Sequence, residues 1–178
     1  MTAYGAADIV NLRSDHPSMD REIISRLTRR MAAARLDALI ASSPENVTYV
    51  SGFVVPSQAL MRWRHAAGIV AANGRVSMVV IDMEASTVKA HAGIDDVKIY
   101  REFSDDPMEI LADALTDLGL NRARVGVEMA FLPAKDFATL TKLLPHVEFV
   151  AADALFDKAR QIKTAGELAL LRSLSKLT

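Results

Sequence analysis

The chain contains no cysteine among its 178 residues. This absence excludes a disulfide framework, zinc sites built on thiolates and cysteine nucleophiles, and it fits a reducing compartment. The amino terminus lacks a basic stretch followed by an apolar run. No segment approaches the roughly 20 consecutive apolar residues that span a bilayer. We therefore expect a cytoplasmic protein with no membrane partner.

An excess of charge of one sign is also missing. The formal net charge is −1, and lysine and arginine are scattered along the chain. Such a chain has no face that would concentrate the phosphates of a nucleic acid, so we expect no nucleic acid partner. Half of the residues are hydrophobic (51%), and the length suffices for one domain with a sizeable core but not for two large ones.

Motifs that carry catalysis are absent. There is no His-Glu-x-x-His, and the four histidines are widely separated, at His16, His65, His91 and His146. The adjacent carboxylates Asp95-Asp96 and Asp105-Asp106 are typical of turns and helix starts. Neither Ser42-Ser43 nor Ser51-Gly52 has the glycine-flanked turn of a serine hydrolase. We predict no catalytic residue and no metal ligand in this chain.

Hydrophobic spacing predicts an α/β fold. An amphipathic helix begins after Ser18, a possible cap, and ends near Leu36, and the apolar residues 38–41 predict a buried central strand before Ser42-Ser43-Pro44 turns the chain. Strands at 65–70 and 76–81 flank Asn73-Gly74, a strong hairpin signal because both turn residues accept positive φ.

The second half alternates strands with helices. Strands are predicted at residues 97–100, 125–128 and 147–151, with helices opening at Asp106-Pro107 and near Pro133. Together with the hairpin, this alternation predicts a mixed sheet with helices on both faces.

The carboxyl-terminal segment opens another helix. Thr164 and Glu167 have the spacing of a capping box. The helix then carries a leucine stripe, formed by Leu168, Leu170, Leu171, Leu174 and Leu177. Such a stripe needs a cover. Either it packs back on its own domain, or it is the first helix of a further domain.

One polar and aromatic patch stands out. Arg62, Trp63 and Arg64 place the sole tryptophan between two arginines, immediately before a predicted strand. Arginine recognises carboxylates bidentately, and an aromatic neighbour shields such a contact from water. A strand end with arginines whose stems cover apolar surface would have the same sequence.

Three strings resemble the amino-terminal domain of the creatinase, prolidase and Xaa-Pro aminopeptidase family, whose catalytic domains have the pita-bread fold. They are the buried strand at 36–41 after the opening helix, Asn46-Val-Thr-Tyr-Val-Ser-Gly-Phe53, and the junction Arg160-Gln-Ile-Lys-Thr164 with Glu167-Leu168. The resemblance runs from about Asp20 to Thr178.

The resemblance implies a three-layer α/β/α, ribonuclease H-like fold with a mixed, mostly parallel sheet. It implies an amino-terminal arm at 1–17, the α/β domain at 18–160, and a junction with the first helix of a catalytic domain at 161–178. In the family, two aspartates, a histidine and two glutamates hold a dinuclear Mn, Co or Zn site in that following domain. We expect this chain to stop before them and to be inactive alone.

The resemblance also implies a role. The family's amino-terminal domains mediate homodimerisation and reach over a neighbouring active site, here through residues 53–64, and Arg64 resembles an arginine that binds the substrate carboxylate. The loop before Arg64 is longer than in creatinase, which favours an Xaa-Pro dipeptide or another small amide over creatine. The alternative is a stand-alone interaction or regulatory domain that dimerises through its last helix. A third possibility, a small hydrolase with an unrecognised site, has no nucleophile to support it.

Overall fold

The computed structural model describes residues 19–61, 63–94 and 96–176. Within these residues six strands form one sheet: β1 Ala38–Ala41, β2 Ala67–Ala71, β3 Val76–Ile81, β4 Asp96–Tyr100, β5 Arg124–Val127 and β6 Glu148–Ala151. The α-helices of the described residues are α1 Arg21–Ala34, α2 Pro44–Ser51, α3 Pro56–Leu60, α4 Ala85–His91, α5 Pro107–Asp117, α6 Ala134–Leu143, α7 Asp153–Gln161 and α8 Ala165–Ser175. The predicted arm at 1–17 lies outside the described residues.

The sheet has the strand order β4-β3-β2-β1-β5-β6. Strand β2 is antiparallel to both of its neighbours, β1 and β3, whereas β1 with β5, β3 with β4 and β5 with β6 are parallel pairs. One strand therefore runs against the other five. The predicted mixed, mostly parallel sheet with one hairpin is confirmed.

The hairpin turn between β2 and β3 differs in one detail from the prediction. The N–H of Ala71 donates to the oxygen of Arg75 at 2.9 Å, and the N–H of Gly74 donates to the oxygen of Ala71 at 2.8 Å. Gly74 has a φ of +83°, whereas Asn73 is not among the residues with positive φ. The loop thus has three residues, and only Gly74 of the Asn73-Gly74 pair takes the left-handed conformation.

Strand β1 shows why the domain has three layers. All four of its residues are buried. Ala38 and Ile40 face the core under α5 and α6, whereas Leu39 and Ala41 face the core under α1, α2, α4 and α7. Because both faces are covered, the strand reads as a continuous apolar run instead of an alternating one. The predicted three-layer α/β/α architecture is confirmed.

Two predicted helix starts have the expected caps. The side chain of Asp106 accepts a hydrogen bond from the N–H of Met108 at 2.8 Å, and Pro107 occupies the first turn of α5. At α8, the hydroxyl of Thr164 accepts from the N–H of Glu167 at 3.1 Å, and the Glu167 carboxylate accepts from the N–H of Thr164 at 2.7 Å. Both caps are local, which is why the sequence reveals them.

The ends of α1 differ from the prediction. Ser18, the predicted cap, lies outside the described residues, and α1 is capped by Asp20, whose carboxylate accepts from the N–H of Glu22 at 2.8 Å. The helix ends at Ala34, before the predicted Leu36, because Arg35 takes a left-handed conformation with a φ of 53°. The chain then turns into β1.

Four short helices, α2, α3, α4 and α7, are not predicted from the sequence, and two of them, α2 and α7, matter for the site. The predicted turn at Ser42-Ser43-Pro44 is the start of α2, with the Ser43 hydroxyl accepting from the N–H of Asn46 at 3.2 Å. Helix α7 follows β6 and buries Phe156 and Ala159 against α1. Nine residues with two buried positions give too weak a periodicity to be recognised from sequence.

Candidate ligand-binding groove

The polar groups of the domain collect at one edge of the sheet. Strands β1, β3, β4 and β5 all end there, and the antiparallel β2 begins there, so the segments around them converge. In open α/β sheets, ligands bind outside the carboxyl ends of the parallel strands. A ligand-binding site is therefore expected at this edge.

An open groove of about 830 Å³ lies at this edge. It is formed by the segment before β2, the loop after β4 and the first turns of α5 and α6. The predicted site residues Trp63 and Arg64 both line it, while Arg62 lies outside the described residues. Two aromatic side chains stand at its rim almost uncovered, with Trp63 70% and Phe103 94% exposed.

Arg64 is held in the groove by Glu102, a residue that the sequence analysis did not identify. Its Nε donates to Oε1 of Glu102 at 2.6 Å, and its Nη2 donates to Oε2 at 3.1 Å. Both side chains are largely covered, at 18% and 17% exposed. The hydrogen bond to Glu102 raises the pKa of Arg64, so the guanidinium is firmly protonated.

The bidentate contact uses one edge of the guanidinium. Nε and Nη2 form the side-on edge, which Glu102 occupies. Nη1 has no acceptor within the residues that the structure describes. The end-on edge, formed by Nη1 and the second N–H of Nη2, is therefore available to a ligand with two acceptor oxygens.

His65 joins two walls of the groove. Its Nε2 lies 3.2 Å from Oδ2 of Asp136 in the first turn of α6, and its backbone oxygen accepts the hydroxyl of Tyr100 at 2.9 Å. Burial lowers the pKa of His65, and the negative charges of Asp136 and Asp106 oppose that shift without reversing it. The imidazole is thus mostly neutral at pH 7, with its Nε2 beside the Asp136 carboxylate.

Acidification is expected to destabilise the fold through His65. An unfolded histidine titrates near pH 6.5, above the lowered pKa of the folded state, so the unfolded chain takes up the proton first. The stability contributed by neutral His65 is present above pH 6.5 and is lost as the pH falls towards the folded pKa. Urea unfolding between pH 7.5 and 5 should show a shallower pH dependence for His65→Gln than for wild type. An unchanged slope, matching that of the exposed His146→Gln, would refute this assignment.

The loop after β4 is closed by its own ion pair. Arg101 donates to the Asp105 carboxylate from Nη2 at 2.7 Å and from its backbone N–H at 2.8 Å. These bonds hold the pKa of Asp105 down at about 2. Phe103 sits inside this closed loop, so its exposed ring is presented by a fixed backbone. Lys135 also lines the groove, and it has no carboxylate partner in the described part of the chain.

A second polar cluster beside the groove is centred on Glu128, which directly follows β5 and is 4% exposed. Its Oε2 accepts from the N–H groups of Ser42 at 2.5 Å and Ser43 at 2.9 Å, and its Oε1 accepts from Nδ2 of Asn46 at 2.6 Å. A carboxylate at the amino end of α2 also interacts favourably with the helix dipole. The sequence predicts Glu128 as the last residue of a strand and assigns it no role. The signal that could have identified it is a charged residue directly after the buried apolar run of β5.

Residues of the string at 46–53 have structural roles in and around α2. Asn46 binds Glu128, and the hydroxyl of Tyr49 donates to the oxygen of Ala159 in α7 at 3.2 Å. The hydroxyl of Ser51 donates to the oxygen of Val47 at 2.7 Å, and Gly52 ends α2 with a φ of 69°. Asn46 and Tyr49 therefore fix α2 between the end of β5 and α7, and no residue of the string lines the groove.

Helix α8 carries the predicted leucine stripe uncovered. No residue of α8 is buried, and Leu168, Leu170, Leu171 and Leu174 are 36–48% exposed. Leu177 lies outside the described residues. Exposed apolar faces of this kind are typical of surfaces that contact other proteins.

In the described ranges no three histidine, aspartate or glutamate side chains lie close enough together to hold a metal ion. No helix of those ranges is long and apolar enough to cross a membrane.

Comparison with known proteins gives a consistent family match. The family model described as the Creatinase/Prolidase N-terminal domain matches residues 23–162. The chain is 28% identical to an uncharacterized hydrolase/peptidase of Sinorhizobium fredii, with 86% of this chain and 41% of the relative covered. It is 26% identical to the ectoine hydrolase of Halomonas elongata, with 85% and 40% covered. The chain thus spans about two fifths of the length of these curated relatives.

Solved structures share the fold. A proline dipeptidase structure from Streptococcus pneumoniae matches with a TM-score of 0.66 and 20% identity, covering 79% of this chain and 98% of that one. The Xaa-Pro dipeptidase of Bacillus anthracis matches with a TM-score of 0.67 and 17% identity, covering 83% and 38%. The N-terminal domain of the cytoplasmic peptidase PepQ from Mycobacterium tuberculosis matches with a TM-score of 0.62 and 21% identity, covering 79% and 99%.

Proposed function

Because the chain belongs to the creatinase/prolidase N-terminal domain family, we propose that it is the non-catalytic substrate-gating domain of a metal-dependent peptidase or amidohydrolase. In this role it binds the carboxylate end of a small substrate and delivers the scissile bond to a catalytic domain of the same protein. The observation that carries the proposal is the open end-on edge of Arg64 in a groove at the carboxyl edge of the sheet.

The chemistry of the groove favours a small carboxylate with an apolar body. Arg64 offers two parallel N–H groups, which match the two oxygens of a carboxylate. Trp63 and Phe103 supply exposed aromatic faces at the rim, against which a proline ring or another compact apolar group packs. The names of the similar proteins include dipeptidases and an ectoine hydrolase, so we propose an Xaa-Pro dipeptide or another small amide as the substrate class.

In this proposal the metal site lies in the catalytic domain and not in the N-terminal domain. The described residues contain no grouping of three carboxylate or imidazole side chains, so they do not fit the dinuclear Mn, Co or Zn site of the family. We assign no metal-dependent step to this chain. Its own contribution is to bind, orient and cover the substrate, in a protein that we place in the cytoplasm.

The partners that we propose are the catalytic domain and a second copy of the protein. The segment at 53–64 exposes Val54 and Leu60, at 56% and 83%, as well as Trp63. The uncovered leucines of α8 form a further apolar face. Uncovered apolar side chains of this number suit contacts with other protein surfaces. In this scheme α8 docks on the catalytic domain, and the segment at 53–64 contributes to dimer contacts and gating.

The carboxylate-binding role is tested with the 178-residue chain and N-acetyl-L-proline. Trp63 is the only tryptophan, so its fluorescence reports on the groove alone. We expect saturable quenching by the wild type, and a dissociation constant raised roughly tenfold or more in Arg64→Ala, because a charge-assisted contact of about 1.5–3 kcal/mol is lost. In a complete enzyme the same change should raise KM to a similar extent.

Two controls accompany this titration. N-acetyl-L-prolinamide has the same ring but no carboxylate and should bind both proteins equally weakly. Arg75→Ala removes an exposed arginine from the β2–β3 turn at the opposite edge of the sheet and should bind like wild type. Equal affinity of wild type and Arg64→Ala for N-acetyl-L-proline would remove Arg64 from the site.

The uncovered face of α8 also favours a second candidate function, an interaction or regulatory domain that dimerises through this helix. Sedimentation of the 178-residue chain separates the two. A monomer whose α8 amides exchange quickly supports the gating domain, whereas a tight dimer with protected α8 amides supports the interaction domain.

A further inference from the structure

We infer that Glu102 is the positioning residue that sets how Arg64 meets its ligand, and that it determines the stereochemical selectivity of the groove. The inference rests on the proposed function of Arg64 and adds a second residue to it. Its basis is the bidentate contact between the two side chains at 2.6 and 3.1 Å.

The bidentate contact fixes the plane of the guanidinium. An arginine side chain rotates about four bonds, and a single contact would leave the planar group free to turn. Two parallel N–H···O bonds define both its position and its plane. Because the pair is largely covered, Arg64 has little room to adopt another rotamer. The end-on edge is consequently presented in one orientation before a ligand arrives.

The backbone around the pair is itself tied down. Arg64 directly precedes His65, whose backbone oxygen accepts the hydroxyl of Tyr100, and Tyr100 ends β4 two residues before Glu102. The N–H of Arg64 also donates to the oxygen of Met61 at 2.9 Å. The two segments that carry Arg64 and Glu102 are thus joined by a hydrogen bond besides their ion pair. Such support keeps a binding group within the narrow geometry that selectivity requires.

Glu102 has a second effect because it neutralises Arg64. A free arginine attracts any anion, whereas a neutral pair does so weakly and relies on the fit of two hydrogen bonds. Loss of the Glu102 charge therefore strengthens general attraction for a carboxylate, while loss of orientation weakens the specific contact. The two effects change the affinity for a carboxylate in opposite directions. Both of them reduce discrimination between enantiomers, so selectivity is the quantity to measure.

The experiment compares N-acetyl-L-proline with N-acetyl-D-proline on the 178-residue chain, using Trp63 fluorescence and calorimetry. Wild type should prefer one enantiomer by roughly fivefold or more, the equivalent of one well-formed hydrogen bond. In Glu102→Gln the ratio should fall to within about twofold of one, whatever happens to the affinity for either enantiomer. Arg64→Lys, which keeps the charge but has no fork, should lose the ratio as well.

A matched control removes a carboxylate from outside the groove. Asp117→Asn removes one negative charge, as Glu102→Gln does, but from an exposed side chain that pairs with Lys98 and does not line the groove, so it should retain the enantiomer ratio. NMR of the arginine Nε–H groups supplies a readout without ligand. Arg101 and Arg124 also donate from Nε to carboxylates, so the Arg64 signal is assigned by its absence in Arg64→Lys. That signal should keep its hydrogen-bonded shift in Asp117→Asn and lose it in Glu102→Gln.

The outcomes separate this inference from the proposed function. If Glu102→Gln keeps the wild-type ratio while Arg64→Ala abolishes binding, Glu102 does not position Arg64, and the proposed function stands. A wild-type ratio close to one likewise overturns the inference alone. If neither enantiomer binds wild type, or if Arg64→Ala binds as well as wild type, both are overturned.

Discussion

Replacing Glu128 with glutamine is expected to lower the free energy of unfolding by about 2–4 kcal/mol. The carboxylate accepts three short hydrogen bonds, from the backbone N–H groups of Ser42 and Ser43 and from the amide of Asn46. Glutamine has the same shape but a single acceptor oxygen. Its NH₂ group must face either the two backbone donors or the Asn46 amide, so at least one buried donor loses its partner.

The cost is large because nothing replaces the lost bonds. Glu128 is 4% exposed, so water does not reach the abandoned donors easily. The negative charge at the amino end of α2 disappears as well, and with it a favourable interaction with the helix dipole. Removal of one partner from a buried network costs more than the network contributes as a whole, since the remaining groups stay buried and unsatisfied.

Glu148→Gln is the matched control for this variant. Glu148 pairs with Arg124 at 3.0 Å, but its side chain is 63% exposed, so its loss should cost no more than about 0.5 kcal/mol. Urea unfolding monitored by circular dichroism gives both values at one pH. Equal losses for the two variants would show that Glu128 does not anchor α2.

Truncation of Phe156 to alanine is expected to cost about 3–5 kcal/mol. Phe156 is fully buried in the core between the sheet and the helices α1, α2 and α4, and it is the largest side chain that α7 contributes. Alanine would leave a cavity that the short helix cannot fill. Helix α7 also has its carboxyl-terminal carbonyls bound by Arg30 and Tyr49, so it is not free to shift inwards.

Phe103→Ala is the natural comparison, because it deletes the same atoms from a ring that is 94% exposed. Its effect on stability should stay within about 0.5 kcal/mol. The loss expected for Phe156→Ala approaches the whole free energy of unfolding of a marginally stable domain. Phe156→Leu therefore provides a milder variant, with an expected loss of about 1 kcal/mol. A loss for Phe156→Ala no greater than that for Phe103→Ala would contradict the packing described for α7.

The sequence predicts those parts of the fold whose signals are local. The caps at Asp106 and Thr164, the hairpin at Gly74 and the strand at 38–41 each depend on residues within a few positions of one another. Helix α7 is missed because its two buried residues meet partners from α1 and α2, far away in sequence. Its existence is a property of the tertiary core and leaves little periodicity behind.

The same distinction applies to the groove. The patch around Trp63 and Arg64 is visible in sequence because an aromatic residue stands beside arginine before a strand. Glu102, the partner of Arg64, is 38 residues away in the chain. It lies on the loop after β4, whereas Arg64 lies before β2. Glu128 binds residues more than 80 positions away. Only the strand order places these groups together, and the sequence contains no local trace of the pairing.

The strand order also dictates when the sheet becomes complete during synthesis. Strands β1 to β4 pair with one another in chain order. The other edge of β1 pairs with β5, which is far along the chain, as the pair Ala38 and Val125 shows. A ribosome therefore releases four strands before the partner of that edge exists. Closing such a long loop is slow, and an unpaired strand edge invites pairing with another nascent chain. The growing polypeptide is consequently most vulnerable to misassembly in the interval between the appearance of β4 and that of β5, which makes this interval the one in which a chaperone would protect it.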